Sequence, residues 1–468
     1  MARSSLFTGL RRCLTAFRSD RRGNLAIIFG FAMLPLIGLV GAGVDYSRAA
    51  RVQTFLQAAA DAAALGSVAN ASAGYKAALQ QGSNGPVATG QTQALSIFNG
   101  EINGRTGFTV TSLNANVAVA NWQVTSTVTF TATVPTVLME VLGWQYLTVT
   151  GTSVAANGLP SYIDFYLLLD NTPSMGLGAT QTDINNLVNY TGCAFGCHDI
   201  SGAQDYYTVA RNKNVTLRID VLAQATSQLM TFAQSPTIEL LNHQFRMAIY
   251  TFGTWGSTGS QSDMAKQAAN NYAPYQIYPS GSAGWGTSNT PDANLSSAAT
   301  AAAGIGLMTI NHNNENNDRG TNFDTMLPAM NGIIPDPGNG QGTNPPQKVL
   351  LIVTDGMADE VNPGNCATWP NGNLLSGQNR CIQPINPSLC TTIKNRGIRI
   401  ALLYTTYLLP NSDSWSNNNV VPLLPAVDPA LRACASPGLY SAVGPNEDIS
   451  AALNKLFAQA VATARLTQ

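Results

Sequence analysis

The chain has 468 residues, of which 45% are hydrophobic and only 10% are charged, and its formal net charge is −1. This length allows two or three domains with a sizeable core, and the apolar content excludes a disordered chain. The surface positions are filled by Asn, Gln, Ser, Thr and Gly rather than by charged residues, which suits an exported protein.

The small net charge conceals an uneven distribution along the chain. The first 22 residues carry six arginines and one aspartate, a charge of +5, so the rest of the chain carries −6 (−1 minus +5). An acidic body without a basic stripe has no electrostatic footprint for nucleic acid. Nucleic acid is therefore excluded as a partner.

An uncharged segment, residues 23–44, follows the basic tail at 1–22. At about 1.5 Å per residue it is long enough to cross a hydrocarbon core of about 30 Å. The arginines that precede it predict a single-pass protein with a cytoplasmic N-terminus and the bulk of the chain periplasmic or extracellular. The alternative is a cleaved secretory signal, for which residues 41–43 are the nearest candidate cleavage site.

Residues 45–158 are predicted to form a small α+β unit. The expected elements are a helix at 45–65, strands at 122–134 and 146–150, and a helical turn at 137–142. The helix is predicted from an alanine-rich segment with a one-sided apolar stripe at Val52, Phe55 and Leu56, and the first strand from alternating polar and apolar residues. We expect the stripe to pack on an antiparallel sheet.

Residues 160–468 are predicted to form an α/β domain, a doubly wound parallel sheet with helices on both faces, because strand and helix patterns alternate. The expected strands are 163–169, 245–252, 347–354, 398–404 and 438–443. The expected helices are 215–234, 294–309, 322–333, 386–396 and 447–464. Segments rich in Gly, Asn, Ser and Pro are predicted as long surface insertions at about 176–213, 253–293 and 356–385.

The cysteines also suit an oxidising compartment. Cys13 lies in the basic tail, and an even set lies in the exported body: Cys193, Cys197, Cys366, Cys381, Cys390 and Cys434. Three disulfides that staple the insertions are the economical interpretation, although the sequence does not select a pairing. For Cys193 and Cys197, a haem or zinc site is the weaker alternative, because the spacing is one residue too long for haem attachment and zinc needs further ligands.

Polar side chains follow two of the predicted buried strands. Asp170, Thr172 and Ser174 follow the strand 163–169, and Asp355 follows the strand 347–354. Ligands collect at the carboxyl ends of parallel strands, and carboxylate and hydroxyl oxygens suit a hard cation such as Mg²⁺. Each residue also has an ordinary interpretation as part of a polar turn or as a strand-end acid.

A third polar position lies before a predicted helix. Thr321 precedes the helix 322–333, and its ordinary interpretation is a helix N-cap. Asp359 and Glu360 form an acidic pair just beyond Asp355, and we expect both to be solvated loop residues.

The motifs Asp170-x-Thr172-x-Ser174, Thr321 and Thr354-Asp355-Gly356 resemble the metal-ion-dependent adhesion site of the von Willebrand factor A fold. The resemblance implies a Rossmann-like domain that binds a divalent cation, Mg²⁺ in the first place and Mn²⁺ or Ca²⁺ as alternatives. It further implies that the hydroxyls contact the ion, that the aspartates act largely through water, and that one position is left for an acidic group of a partner. Thr172 stands where serine is commoner in the family and keeps the hydroxyl.

The N-terminal part resembles the TadG-like proteins of Tad (Flp) pilus assembly. The resemblance lies in residues 22–30, 43–48 and 56–65, and the C-terminal residues 456–466 are also similar. It implies a bacterial inner-membrane protein with a pilin-like N-terminal unit and with pilus or secretion-machinery components as partners. Pilin-like relatives carry a glutamate where this chain has Ile28, which argues against cleavage by a prepilin peptidase.

Enzyme motifs are absent from the sequence: there is no G-x-S-x-G, no H-E-x-x-H, no Walker A motif and no G-x-G-x-x-G after a strand. We therefore expect a membrane-anchored protein, not an enzyme, that acts in pilus assembly or adhesion by binding an acidic group through a divalent cation. The alternatives are a structural envelope scaffold without a functional metal site and a secreted hydrolase with its site in the insertions.

Overall fold

The computed structural model describes residues 23–202, 204–280, 283–312, 319–361, 364, 366, 372–375, 379–406, 414–444 and 447–466. The predicted basic tail at 1–22 lies outside these residues. The chain divides into two compact units, Met1–Leu159 and Pro160–Gln468.

The described part of the first unit combines three helices with one antiparallel sheet. The helices are α1 (Gly23–Val68), α2 (Ala73–Gln81) and α3 (Ala88–Ile102), with a 3₁₀ turn at Met139–Leu142. The strands are β1 (Gly85–Pro86), β2 (Thr109–Ala120), β3 (Gln123–Pro135) and β4 (Tyr146–Gly158), in the spatial order β1-β2-β3-β4.

Helix α1 has two different halves. In the first half the large apolar side chains are exposed, for example Phe31 (74%) and Leu39 (72%). In the second half Leu56 and Ala60 are fully buried on the sheet, where Ser67 contacts Ser126 at 2.9 Å between their hydroxyl oxygens. The stretch Ile27–Val68 is the one helix in the described residues that is long and apolar enough to cross a membrane. The predicted packing of the alanine-rich half on a sheet is confirmed.

The second unit alternates strands and helices. Its helices are α4 (Gln181–Thr191), α5 (Tyr206–Asn212), α6 (Arg218–Ala233), α7 (Asp263–Ala269), α8 (Leu295–Ala303), α9 (Phe323–Ile333), α10 (Pro387–Lys394), α11 (Ser414–Asn419), α12 (Leu424–Cys434) and α13 (Ile449–Leu466). Its strands are β5 (Ile163–Leu169), β6 (His198–Asp199), β7 (Phe245–Thr251), β8 (Tyr275–Tyr278), β9 (Gly284–Trp285), β10 (Thr309–Ile310), β11 (Gln347–Thr354), β12 (Met357–Val361), β13 (Asn373–Leu375), β14 (Arg380–Pro384), β15 (Arg399–Thr405) and β16 (Tyr440–Val443).

The main sheet of this unit has the strand order β16-β15-β11-β5-β7-β8-β9. The first five strands are parallel, whereas β8 and β9 pair antiparallel at one edge. Strand β5 lies between β11 and β7, and Val353 of β11 is level with Leu169 of β5. The carboxyl ends of β5 and β11 are therefore adjacent.

Both faces of this sheet are covered, which explains the near-continuous apolar strands. Phe165 and Leu167 face a core that contains Leu229 of α6 and Phe457 of α13. Tyr166 lies in a second core, formed with residues of α9, α10 and α12. The predicted α/β architecture with helices on both faces agrees with this arrangement.

The predicted insertions contain more regular structure than expected. The segment 176–213 contains α4 and α5, and 253–293 contains α7 with the two antiparallel edge strands. The described part of 356–385 forms a small antiparallel sheet of order β12-β14-β13. These elements were not predicted, because short strands that pair with distant segments leave little periodicity in the sequence.

Two disulfides join cysteines of the predicted set. Cys366 pairs with Cys381 across the β12–β14 segment, and Cys390 of α10 pairs with Cys434 of α12. The first bridge lies within the predicted insertion at 356–385, whereas the second joins two helices outside the predicted insertions. The pairing of Cys193 with Cys197 stays a prediction.

The expectation that Asp359 and Glu360 are solvated loop residues is wrong. Both lie in β12, where the Asp359 carboxylate forms an ion pair with Arg380. Glu360 is fully buried, and its carboxylate accepts a hydrogen bond from Gln383 at 2.6 Å. Burial, together with the charge of Asp324, raises the pKa of Glu360 to about 8.

This pKa predicts that stability falls as the pH rises. The folded state holds the Glu360 proton more tightly than the unfolded chain, whose pKa is the ordinary 4.5. The unfolding free energy is therefore highest below pH 4.5, the pKa of Glu360 in the unfolded chain. It falls as the pH rises to about 8, the pKa of Glu360 in the folded protein, by about 2–4 kcal/mol in all. We expect Glu360→Gln to remove most of this loss in urea unfolding at about pH 5 and pH 9. The control Glu447→Gln, at an exposed position, should lose as much stability between these pH values as the unsubstituted protein does. A Glu360→Gln variant that also loses as much would contradict the raised pKa of Glu360.

Candidate functional site

The five residues proposed from the sequence converge at the carboxyl edge of the main sheet. Asp170 follows β5 directly, and its backbone N–H donates to the Val353 carbonyl of β11 at 3.0 Å. Ser174 lies in the 3₁₀ turn Pro173–Gly176 that follows. The Thr172 hydroxyl lies 2.6 Å from Asp170 Oδ1 and 3.1 Å from Ser174 Oγ.

Thr321 joins this cluster from a distant part of the chain. Its hydroxyl oxygen lies 2.8 Å from that of Thr172. Reciprocal backbone hydrogen bonds with Asp359, of 3.1 and 3.0 Å, hold the Thr321 loop against β12. The interpretation of Thr321 as a helix N-cap is wrong, because the cap of α9 is Asn322, whose side chain accepts from the Thr325 N–H.

Asp355 completes the cluster at the end of β11. Its Oδ1 accepts from the Met357 N–H at 3.3 Å, whereas its Oδ2 is buried and has no hydrogen-bond partner. The turn needs the next residue to be glycine, because Gly356 has φ +76° and a Cβ there would lie 2.5 Å from Leu431. A buried carboxylate oxygen without a partner is costly unless a cation or a water satisfies it.

The electrostatics of the site show two buried carboxylates in proximity. Burial raises the pKa of Asp170, against the hydrogen bonds from Thr172 and Thr354. Burial and the charge of Asp170 raise the pKa of Asp355, while the charge of Arg218 and the hydroxyl of Ser174 act in the opposite direction. Ionising both carboxyl groups is therefore unfavourable in the folded protein unless a counter-charge lies beside them, and a cation bound among these oxygens would supply it.

Two positioning residues of this site, Asn171 and Gln267, were missed by the sequence analysis, and a third, Thr354, was named only as part of a motif. Thr354 donates from its hydroxyl to Asp170 Oδ2 at 2.7 Å, and its place directly before Asp355 was the available signal. The side-chain amide of Asn171 donates a hydrogen bond to the Gly253 carbonyl and accepts one from the Gly253 N–H. Gln267 donates to the Gly320 carbonyl at 2.8 Å and so fixes the loop that carries Thr321.

A cavity of about 600 Å³ opens beside the cluster, and Ser174 and Thr321 form part of its wall. The rest of the wall is mixed: apolar side chains such as Phe195 and Trp415 alternate with charged ones such as Asp199, Asp359 and Arg380. A group from another molecule can reach the half-buried Ser174 from this cavity, whereas Thr321 is only 2% exposed. In the described part of the chain no three carboxylate, imidazole or thiolate side chains converge, so the candidate site relies on two carboxylates and three hydroxyls.

The comparison with family models gives one match, which concerns the first unit. Residues 23–71 match the model described as putative Flp pilus-assembly TadE/G-like. No curated protein matches the chain.

Comparison with solved structures gives distant similarities. The pilus adhesin SpaC from Lactobacillus rhamnosus GG is 11% identical, with a TM-score of 0.34, over 77% of this chain and 35% of its own. The proximal thread matrix protein 1 of the mussel byssus, solved with a zinc-occupied MIDAS motif, is 11% identical, with a TM-score of 0.31, over 64% of this chain and 46% of its own. The PilB minor pilin from Streptococcus sanguinis is 11% identical, with a TM-score of 0.30, over 77% of each chain. This chain spans about a third of the length of the pilus adhesin.

The family similarity thus covers the exposed apolar half of α1 and its alanine-rich continuation: residues 23–71 of this chain are similar to TadE/G-like proteins of Flp pilus assembly.

Proposed function

We propose that this protein is anchored in the bacterial inner membrane by the first half of α1 and that its second unit is a von Willebrand factor A-like adhesion domain outside the cytoplasm. It captures a protein partner during Flp-type pilus assembly or adhesion, as a binding protein rather than an enzyme. The observation that carries the proposal is the convergence of Asp170, Thr172, Ser174, Thr321 and Asp355 at adjacent strand ends.

The donor set of this cluster fits a divalent cation, Mg²⁺ in the first place. Two carboxylates and three hydroxyls are oxygen donors, and a hard cation prefers oxygen. The buried Asp355 Oδ2 lacks a hydrogen-bond partner, and the proximity of Asp170 is unfavourable without a counter-charge. Thr172, Ser174 and Thr321 would contact the ion, and Asp170 and Asp355 would act mainly through ordered water.

An acidic side chain of the partner is the proposed ligand. When bound, the cation supplies a positive charge with an incomplete set of protein ligands, which attracts a carboxylate. Ser174 is half-buried and lines the cavity with Thr321, so a carboxylate can approach the hydroxyl side of the cluster. The bonds from Thr354 and Gln267 hold the cluster in place before the partner arrives.

The pilus assignment rests on the first unit. The match of residues 23–71 to the TadE/G-like model supports membrane anchoring and a role in the Flp pilus system. The exposed apolar first half of α1 supports the anchor. Pilus or secretion-machinery components are therefore the partners we propose.

Capture of a partner from pilus-producing cells tests this function. The full-length protein in detergent should retain a pilus component from an envelope extract in Mg²⁺ and release it in excess chelator. Asp170→Ala should abolish the Mg²⁺-dependent capture, because Asp170 supports the Thr172 hydroxyl at 2.6 Å. Capture by this variant in chelator would refute the cation bridge, and recovery of peptidoglycan or lipoproteins alone would refute the pilus assignment and favour a structural envelope scaffold.

A further inference from the structure

The tip of the first unit exposes an apolar patch in the connection between β3 and β4. Residues 137–146, which are most of this connection together with the first residue of β4, are called the tip loop here. Its exposed large side chains are Val137 (58%), Val141 (84%), Trp144 (61%) and Tyr146 (58%). Four large apolar side chains within ten residues are unusual on a surface that faces only water.

The tip loop is bonded to α1 at the end of its apolar half. The Asp45 carboxylate accepts hydrogen bonds from the backbone N–H groups of Val137, Leu138 and Met139, the shortest at 2.8 Å. A Cβ at Gly41 would lie 2.6 Å from the Leu138 Cβ, so this leucine packs one helical turn before Asp45. The tip loop therefore reaches the level at which the proposed membrane segment ends.

The backbone of the tip loop is also suited to a nonpolar environment. Asp45 satisfies three consecutive N–H groups, and the 3₁₀ turn closes with bonds from Gly143 N–H to the Glu140 carbonyl and from Trp144 N–H to the Met139 carbonyl. Backbone polar groups near lipid must be satisfied within the protein. The exposed acidic side chain of Glu140 restricts the loop to the headgroup layer and the adjoining acyl chains.

We propose that the tip loop is a second membrane contact, inserted into the interfacial layer of the outer leaflet of the same membrane that α1 crosses. Trp144 and Tyr146 lie at headgroup level, where aromatic rings with a polar edge are favoured, and Val141 enters the acyl region. The loop thereby holds the first unit at a fixed height above the bilayer. This inference rests on the membrane anchor of the proposed function and is independent of the cation site.

The test is quenching of tryptophan fluorescence in vesicles of phosphatidylcholine with brominated acyl chains, with the full-length protein reconstituted alone. Helix α1 contains no tryptophan, so it contributes no such signal. Bromines near the headgroup end of the chains should quench the protein more strongly than bromines near the bilayer centre. Trp144→Phe should remove about half or more of the shallow quenching, because Trp144 is at interfacial depth.

Trp415→Phe is the matched control, since this tryptophan is also partly exposed (39%) but lies in the second unit, and it should leave the shallow quenching nearly unchanged. Flotation of each variant with the vesicles checks the anchor separately. Protein that floats but loses no quenching on Trp144→Phe would overturn the tip-loop proposal and leave the anchor intact. Trp144 emission that shifts to shorter wavelength only when other envelope proteins are added would also overturn it, in favour of a protein partner at this patch. Protein that fails to float would refute the anchor and the tip-loop contact with it.

Discussion

Replacing Asp355 by Asn is expected to stabilise the cation-free protein and to abolish its stabilisation by Mg²⁺. The Asp355 carboxylate is fully buried, and the charge of Asp170 opposes its ionisation. A neutral amide removes this repulsion, so in chelator at about pH 8 the unfolding free energy should rise by about 1–2 kcal/mol. The unsubstituted protein should instead gain about 2.7 kcal/mol when Mg²⁺ is present at about 100 times its Kd. Urea unfolding in chelator and in Mg²⁺ measures both effects.

Asp263→Asn is the matched control for this substitution. Asp263 is also fully buried, but its carboxylate is satisfied by Thr254, Ser257 and Thr309, which donate from hydroxyl and backbone groups. Its replacement should lower stability in chelator and in Mg²⁺ alike, by about 1–3 kcal/mol. The account of the site fails if Asp355→Asn destabilises the chelated protein as Asp263→Asn does and retains the Mg²⁺ response.

The largest loss of stability is expected from Asp164→Ala, at the amino end of β5. The buried Asp164 carboxylate accepts two hydrogen bonds from Arg246, at 2.7 and 2.8 Å, and one from Lys348 at 2.6 Å. Lys348 is only 4% exposed. Without Asp164 its ammonium group is left buried beside the Arg246 guanidinium, which should lower the unfolding free energy by about 3–5 kcal/mol in urea unfolding.

Lys348→Met separates the loss of the ion pair from the loss of packing. Methionine can fill the space of the lysine chain, and Asp164 keeps both bonds from Arg246, so a loss of about 1 kcal/mol is expected. Equal losses from Asp164→Ala and Lys348→Met would contradict the argument from an uncompensated buried charge. Both variants should keep their response to Mg²⁺, because Asp164 lies at the opposite end of β5 from Asp170.

The strands that carry the candidate site were predictable because their signals are local. β5 and β11 are unbroken apolar segments that end on Asp170 and on Thr354-Asp355, and the observed bounds, Ile163–Leu169 and Gln347–Thr354, are those expected. Strands buried on both faces give such segments, and the polar residues that follow must lie at the sheet edge. The location of Thr321 in the cluster was implied by a family resemblance, since no local pattern links it to β5.

Features that depend on distant pairing were not predictable in this way. Glu360 was expected in a solvated loop, yet β12 pairs with β14 some twenty residues later and buries it. The Gln267 amide reaches Gly320 across 53 residues, which composition and periodicity do not reveal. Helix α2 was missed because it has only nine residues, and helix α3 because its Gly, Gln, Thr and Asn residues give only a weak amphipathic pattern.

The central claim is that the Asp170–Thr172–Ser174–Thr321–Asp355 cluster holds a divalent cation. Its most direct test is isothermal titration of the chelator-treated, full-length protein in detergent with Mg²⁺, Mn²⁺ and Ca²⁺. We predict one saturable binding event per chain for at least Mg²⁺, and its loss in Asp355→Asn but not in Asp263→Asn. The absence of saturable heat with all three ions, or unchanged binding by Asp355→Asn, would contradict the claim.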